Sequence, residues 1–240
     1  MNVLITGGAS GLGGAFTREL LRTKEVHKIY ITYNNSLDKA KALQQTSSKI
    51  EVIRCDFTSK KDIDRLCSKI ETIDLDILVN NAITGLEKKH FHKKSSESFI
   101  QSFESNIIPI IKITQSSLKV FRKKKFGKII TILTAYLANK PPSGFSEYCA
   151  SKSYLMALSK SWMVENSRFN ITVNNLLPSF METQLNSEED KRMLKNLEES
   201  LPLKTFLKVE EVAECLKFLV VSSQQINGQN IVINQGVDLL

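Results

Sequence analysis

"NVLITGGASGLGGAFTRELLR", residues 2–22, decides the fold. It opens on a short apolar run, closes on a helical pattern, and joins the two through Gly7, Gly11 and Gly13, spaced GxxxGxG. A strand that turns through such a loop directly into a helix brings backbone N–H groups and a helix N-terminus against an anionic phosphate, where a Cβ would obstruct. Its place between a first strand and a first helix makes the loop a dinucleotide cradle, with Gly7, Ser10, Gly11, Leu12 and Gly13 as contacts.

Outward from this loop the same alternation continues. "KIYITY", "KIEVIRC", "LDILVNNA", "GKIITILT", "ITVNNLL" and "NIVIN" are short β-branched runs separated by helical stretches. Seven such runs predict βαβ units, a parallel sheet of about seven strands and helices on both faces. No Pro- and Gly-rich linker or repeat divides the chain, so residues 1–240 read as a single doubly wound α/β Rossmann-type domain. Ser36 is placed to cap one helix, and "SKKD" (59–62) resembles a capping box for the next. The polar stretch from about 184 to 207 is expected to be a mobile substrate-side segment.

Composition narrows the function. The hydrophobic share of 42% and charged share of 24% describe a soluble globular chain. No apolar run is long enough to span a membrane and no leader precedes the first strand, so a cytoplasmic location is expected. Four scattered cysteines without CxxC spacing suggest reduced thiols and no metal site. The net charge of +8 comes with lysine clusters at 88–94 and 121–128. Solvated loops are the plain reading of these clusters; docking of an acidic carrier is the functional one. Nucleic acid is not expected without a helix-turn-helix, zinc-finger or RNP pattern.

The second strand ends Tyr33, Asn34, Asn35, Ser36, with no acid to bond a ribose 2′-hydroxyl or repel a 2′-phosphate. Asn34, Asn35 and the helix start at Ser36 therefore favour NADP(H) over NAD(H). Further on, Tyr148 and Lys152 are four apart and share a helix face. Tyrosine titrates near 10, so half-ionisation at neutrality needs a drop of roughly 3 units, about 4 kcal/mol. A nearby ammonium and a cationic nicotinamide are sources of that size. Tyr148 would then exchange a proton with a carbonyl or hydroxyl oxygen while the cofactor carries hydride.

Seven segments in order, "TGGASGLG" (6–13), "CDFTS" (55–59), "NNA" (80–82), "FESNI" (103–107), "YCASK" (148–152), "LPSFMET" (177–183) and "INGQNIVINQG" (226–236), resemble the short-chain dehydrogenase/reductase family, nearest to its 3-oxoacyl-acyl-carrier-protein reductase-like branch. The resemblance implies an NAD(P)H-dependent oxidoreductase acting on a carbonyl or secondary alcohol, possibly a carrier-bound 3-oxoacyl thioester. It implies cofactor contacts at Asp56, Phe57, Asn80, Asn81, Ala82, Tyr148, Lys152, Pro178 and Thr183. Tyr148 would be the acid/base, Lys152 would lower its pKa and hold the ribose, and Asn106 would support a water leading to solvent. A homodimer or homotetramer built on the helices starting near Ser96 and Ser146 is also implied.

The chain departs from the pattern at Ile83, Ser179, Asn234-Gln235 and at the catalytic hydroxyl. The family's serine stands thirteen residues before the tyrosine, which is Ala135 here; Thr134 precedes it. Neighbouring strand residues face opposite ways, so one extra residue in the following loop is needed to bring Thr134 into place. Thr134 is taken as the hydroxyl, with Ala135 as the alternative and Tyr136, Ser143 or Ser146 as substitutes in that case. Those departures also motivate a rival reading, a dinucleotide-binding regulatory or scaffold protein with weak or lost turnover.

Overall fold

The structure is a computed structural model describing residues 1–138, 140–181 and 191–237. The seven predicted strands form: β1 Asn2–Ile5, β2 Lys28–Tyr33, β3 Ile50–Arg54, β4 Ile77–Asn80, β5 Gly127–Ile132, β6 Ile171–Pro178 and β7 Asn230–Ile233. They pair in parallel as one sheet in the order β3-β2-β1-β4-β5-β6-β7. The helices among the described residues are α1 Gly11–Leu21, α2 Leu37–Thr46, α3 Lys60–Thr72, α4 Ser96–Asn106, α5 Ile108–Lys124, α6 Ser146–Asn166, α7 Lys191–Ser200 and α8 Val209–Val221. None of these residues forms a helix long and apolar enough to cross a membrane.

Strand alternation builds a core on each face. Val3, Ile5, Ile29, Ile31, Ile77 and Val79 pack with Phe16 and Leu20 of α1 and with Val212 and Leu216 of α8. The intervening Leu4, Tyr30 and Leu78 face the other way, onto Leu66 of α3, Ile113 of α5 and Leu155 of α6. Burial on both faces is why these strands read as continuous apolar runs.

Strand order reverses between β1 and β4, so the crossovers leave to opposite sides and open a crevice at the carboxyl ends there. At the other end of the sheet Lys128 is buried, its Nζ donating to the carbonyls of Leu219 (3.3 Å), Val220 (2.9 Å) and Ser222. A lysine read as part of a solvated cluster thus satisfies the last carbonyls of α8. Lys124 of the same cluster pairs with Asp74 and Asp76.

Of the segment at 184–207, residues 191–200 form α7, and 184–190 lie outside the described residues.

Candidate active site

The glycine loop is held as a rigid cradle. Gly7 (φ +65) and Gly11 (φ +52) adopt left-handed backbone. A Cβ on Gly13 would lie 2.2 Å from the Gly7 carbonyl oxygen, so only glycine lets α1 start this close to the loop. Thr32 Oγ1 accepts from Gly7 N–H (2.9 Å), and Thr17 Oγ1 donates to the carbonyls of Gly8 (2.9 Å) and Gly13 (2.8 Å). Thr6 Oγ1 accepts the N–H groups of Asn81 (2.9 Å) and Ala82 (3.0 Å), while Asn81 Nδ2 donates to the Thr6 (2.9 Å) and Gly7 (3.2 Å) carbonyls. The two loops that follow β1 and β4 are thereby one unit.

A cleft of about 630 Å³ runs over this cradle. Of the cofactor residues expected from sequence, Gly7, Ser10, Gly11, Leu12, Gly13, Asn34, Asn35, Ser36, Asp56, Phe57, Asn81, Ala82, Tyr148, Lys152 and Pro178 line it. Asn80 is buried beneath, its Nδ2 donating to Thr114 Oγ1 (3.2 Å). Thr183 lies outside the described residues.

Four helix starts with serine at the N-cap divide into two away from the cleft and two that line it. Away from it, Ser59 accepts from Asp62 N–H (3.3 Å) and Ser95 from Ser98 N–H (3.3 Å), as N-caps do. Ser10 and Ser36, which line the cleft, make no side-chain cap bond, so the predicted capping by Ser36 is corrected. α1 also carries no acidic residue in its first turn. The starts of both helices therefore face the cleft without a side-chain cap, and that of α1 does so with no carboxylate in its first turn, as anionic groups favour. Asn34 Oδ1 is buried there with no hydrogen-bond partner among the described residues. Asp56 is held below its ordinary carboxylate range by the N–H and hydroxyl of Thr58, with help from the Asn34 side chain. These features fit a phosphate-bearing dinucleotide.

On the other side of the cleft β5 delivers Thr134 and α6 delivers Tyr148 and Lys152. Thr134 lines the cleft with Tyr148 and acts to lower that hydroxyl's pKa, whereas Ala135 is buried and does not line the cleft. The two residues are separated by 148 − 134 = 14 positions, so the chain between them is one residue longer than the family spacing. Among the substitutes, Tyr136 lines the cleft, Ser143 Oγ is engaged with His90 Nδ1 (3.1 Å), and Ser146 Oγ is buried with no partner among the described residues.

Lys152 Nζ donates to the Ile132 carbonyl (2.8 Å) and lies 5.8 Å from the Tyr148 ring centre. Burial pushes Tyr148 up to about 12, against the opposing influence of the Thr134 side chain, and pulls Lys152 down to about 8. The expected depression of Tyr148 by Lys152 is therefore corrected for the free protein: desolvation outweighs an ammonium that is turned toward a carbonyl.

Asn106 stands where α4 gives way to α5. Pro109 has no N–H for the Ser105 carbonyl, so the helix breaks and Thr84 Oγ1 bonds that carbonyl instead (3.3 Å). Asn106 then clamps Thr84: Oδ1 accepts from its N–H (2.8 Å) and hydroxyl (3.1 Å), and Nδ2 donates to its carbonyl (3.0 Å). A cavity of about 20 Å³ lies among Asn106, Tyr148, Ser151 and Lys152. That is room for one water.

The profile of the family described as "short chain dehydrogenase" matches residues 1–194. The chain belongs to this family. As a short-chain dehydrogenase it is an NAD(P)H-dependent oxidoreductase, moving hydride between a nicotinamide and a carbonyl or secondary alcohol. A 3-oxoacyl-acyl-carrier-protein reductase of Rickettsia typhi is 30% identical over 237 residues, covering 98% of this chain and 95% of the relative. One of Mycobacterium avium is 27% identical, covering 91% and 82%. A solved short-chain dehydrogenase/reductase family protein superposes with a TM-score of 0.85 at 22% identity, covering 98% of this chain and 96% of its own.

Several features of this short-chain dehydrogenase are not evident from its motifs. Gln235, replacing a family glycine, keeps left-handed backbone (φ +61) and clamps a neighbouring loop, accepting from Leu203 N–H (3.1 Å) and donating to the Thr205 carbonyl (2.7 Å). Tyr136, Phe145 and Phe180 wall the substrate side, Phe145 standing edge-on to both Tyr136 (5.7 Å) and Tyr148 (6.0 Å). Thr84 is the partner Asn106 needs. No group of three His, Cys, Asp or Glu that could hold a metal occurs among the described residues.

Proposed function

We propose that this short-chain dehydrogenase reduces the carbonyl of a 3-oxoacyl thioester, carrier-bound in its working form, with NADPH in preference to NADH. The convergence of the Thr134 hydroxyl, the Tyr148 hydroxyl and the Lys152 ammonium on one cleft carries the reading. When bound, the nicotinamide supplies the hydride. Tyr148 gives its proton to the carbonyl oxygen, and Thr134 donates a hydrogen bond to that oxygen as charge develops on it. The Lys152 ammonium meets the ribose hydroxyls and helps Tyr148 lose its proton. Asn106 holds Thr84 in place, and a water in the adjoining cavity returns a proton from solvent.

The absence of a carboxylate at the end of β2 and the uncapped start of α2 support NADPH. Asp38 and Lys39 in the first turn of α2 oppose one another in charge. The names of the relatives support the thioester. Docking of an acidic carrier fits the lysines at 88–93, beside the substrate side of the cleft. The cluster at 121–128 runs from the end of α5 into the first residues of β5 and so lies at the amino ends of the strands, away from the chain's own cleft. Exposed Ile100, Tyr154 and Val164 on α4 and α6 suit pairing with a second copy in a cytoplasmic dimer or tetramer. Tyr148→Phe, assayed by NADPH oxidation against ketones and 3-oxoacyl thioesters, is expected to abolish turnover while NADPH still binds; retained turnover refutes the assignment of the proton donor.

A further inference from the structure

The loop between β4 and α4, residues 81–95, forms one wall of the cleft through Ile83, Thr84, Gly85 and Leu86. Its near end is fixed by Asn106. Its far end is fixed by Lys94, whose side chain is fully buried although the sequence places it in a run of cations. Lys94 Nζ bonds Glu147 Oε2 (2.9 Å), the Glu87 carbonyl (3.0 Å) and Glu87 Oε2 (3.4 Å). Glu147 immediately precedes Tyr148 in the first turn of α6 and lines the small cavity shared by Tyr148, Lys152 and Asn106.

Other contacts cross at the same place. Lys89 N–H donates to the Gly144 carbonyl (3.2 Å), and Gly144 is left-handed (φ +88) with its absent Cβ only 3.3 Å from Lys89 N. His90 Nδ1 meets Ser143 Oγ (3.1 Å), and Lys88 Nζ sits 5.4 Å from the centre of the Phe145 ring. Residues 87–94 are thus strapped onto 143–147, the turn that delivers Phe145 and Tyr148. Glu87 is exposed and also pairs with Lys89 (3.7 Å), but Glu147 is largely buried and depends on Lys94, so the buried ammonium is the member of the strap whose loss leaves a charge beside Tyr148 unpaired.

We propose that Lys94 is a positioning residue for the substrate: by joining Glu87 to Glu147 it holds the β4–α4 loop against the start of α6 and fixes the width of the cleft beside Tyr148. The inference rests on the assignment of Tyr148 as proton donor. Lys94 lies outside the cofactor cradle, so the strap acts on the carbonyl compound and leaves the dinucleotide alone. The signature is a split between KM and kcat, with cofactor affinity unmoved.

The test uses the full chain, NADPH, and the ketone or thioester that turns over fastest, with NADPH affinity measured separately by fluorescence. Lys94→Met is expected to raise KM for the carbonyl about tenfold, with kcat within about threefold and NADPH Kd within about twofold of the parent. Lys94→Arg should bring KM back to within about threefold. The double variant Lys94→Met with Glu147→Gln, which leaves no unpaired carboxylate beside α6, carries the same expectation for KM. An unchanged KM in Lys94→Met overturns the proposal. So does loss of NADPH binding in both the single and double variants, which would make the strap a general fold element. Turnover surviving in Tyr148→Phe refutes the proton-donor reading itself, whereas an unchanged KM in Lys94→Met beside an inert Tyr148→Phe refutes the strap alone.

Discussion

Thr134→Val removes one hydroxyl and keeps the branched shape of the side chain. One hydrogen bond goes with it: that accepted from Tyr136 N–H is long, at 3.4 Å, and its loss costs stability about 0.5–1 kcal/mol. The influence of Thr134 on Tyr148 bears on rate. Burial pushes Tyr148 up to about 12, and Thr134 is the one group acting on it that opposes this rise. A donor aimed at an oxygen on which charge develops is worth roughly 10²- to 10³-fold in kcat, about 3–4 kcal/mol, and Thr134→Val is expected to lose that much. Ala135→Ser should behave in the opposite way. Its added hydroxyl would be buried away from the cleft, costing about 1–3 kcal/mol of stability and adding nothing to the rate. Single-turnover NADPH oxidation gives the rates, and urea unfolding gives the stabilities. A Thr134→Val enzyme within threefold of the parent kcat, or an Ala135→Ser enzyme faster than the parent, refutes the placement of Thr134 at the substrate oxygen.

Further outcomes follow from the geometry. Burial holds Lys152 down to about 8, so its charge is complete below that pH and lost above it; kcat/KM for NADPH should fall through pH 8, while Tyr148 stays protonated throughout. A fall near pH 8 that persists in Lys152→Arg contradicts this. Gly11→Ala meets open space but must hold φ +52, so it should cost about 1 kcal/mol in stability and weaken NADPH about tenfold in a binding titration; Gly13→Ala, whose methyl meets the Gly7 oxygen at 2.2 Å, should lose about 3 kcal/mol in urea unfolding and bind no NADPH. Asn34→Asp puts a carboxylate where a 2′-phosphate would lie and should lower the NADPH-to-NADH ratio of kcat/KM at least about tenfold; an unmoved ratio argues against the assigned ribose position. Lys128→Met leaves the carbonyls of Leu219, Val220 and Ser222 without their donor and should cost about 2–4 kcal/mol, read as a thermal midpoint lower by about 5–15 °C.

The sheet was legible because its strands are buried on both faces and separated by helices of ordinary length, so apolar runs such as "KIYITY" and "GKIITIL" stand out without any tertiary knowledge. The glycine cradle was legible for a similar reason: Gly7 and Gly13 are demanded by backbone conformation and close approach, which are local. What remained hidden depends on distant partners. Lys94 and Lys128 look like members of solvated clusters, and only the folded chain brings Glu147 to one and the end of α8 to the other. Ser36 has the residue type and position of a cap, yet its helix start opens onto the cleft. The choice between Thr134 and Ala135 turned on one residue of loop length, which strand periodicity alone does not resolve. Tyr148 and Lys152 were visible as a pair, but the balance of their titration is set by burial, a property of the whole site.

Pro109 has a mechanical meaning beyond breaking a helix. Were α4 and α5 continuous, the Ser105 carbonyl would be satisfied within the helix and Thr84 would lose that anchor to the bundle. The break instead ties the bend between two helices to the wall of the cleft, since the Ser105 carbonyl and the Asn106 side chain both hold Thr84.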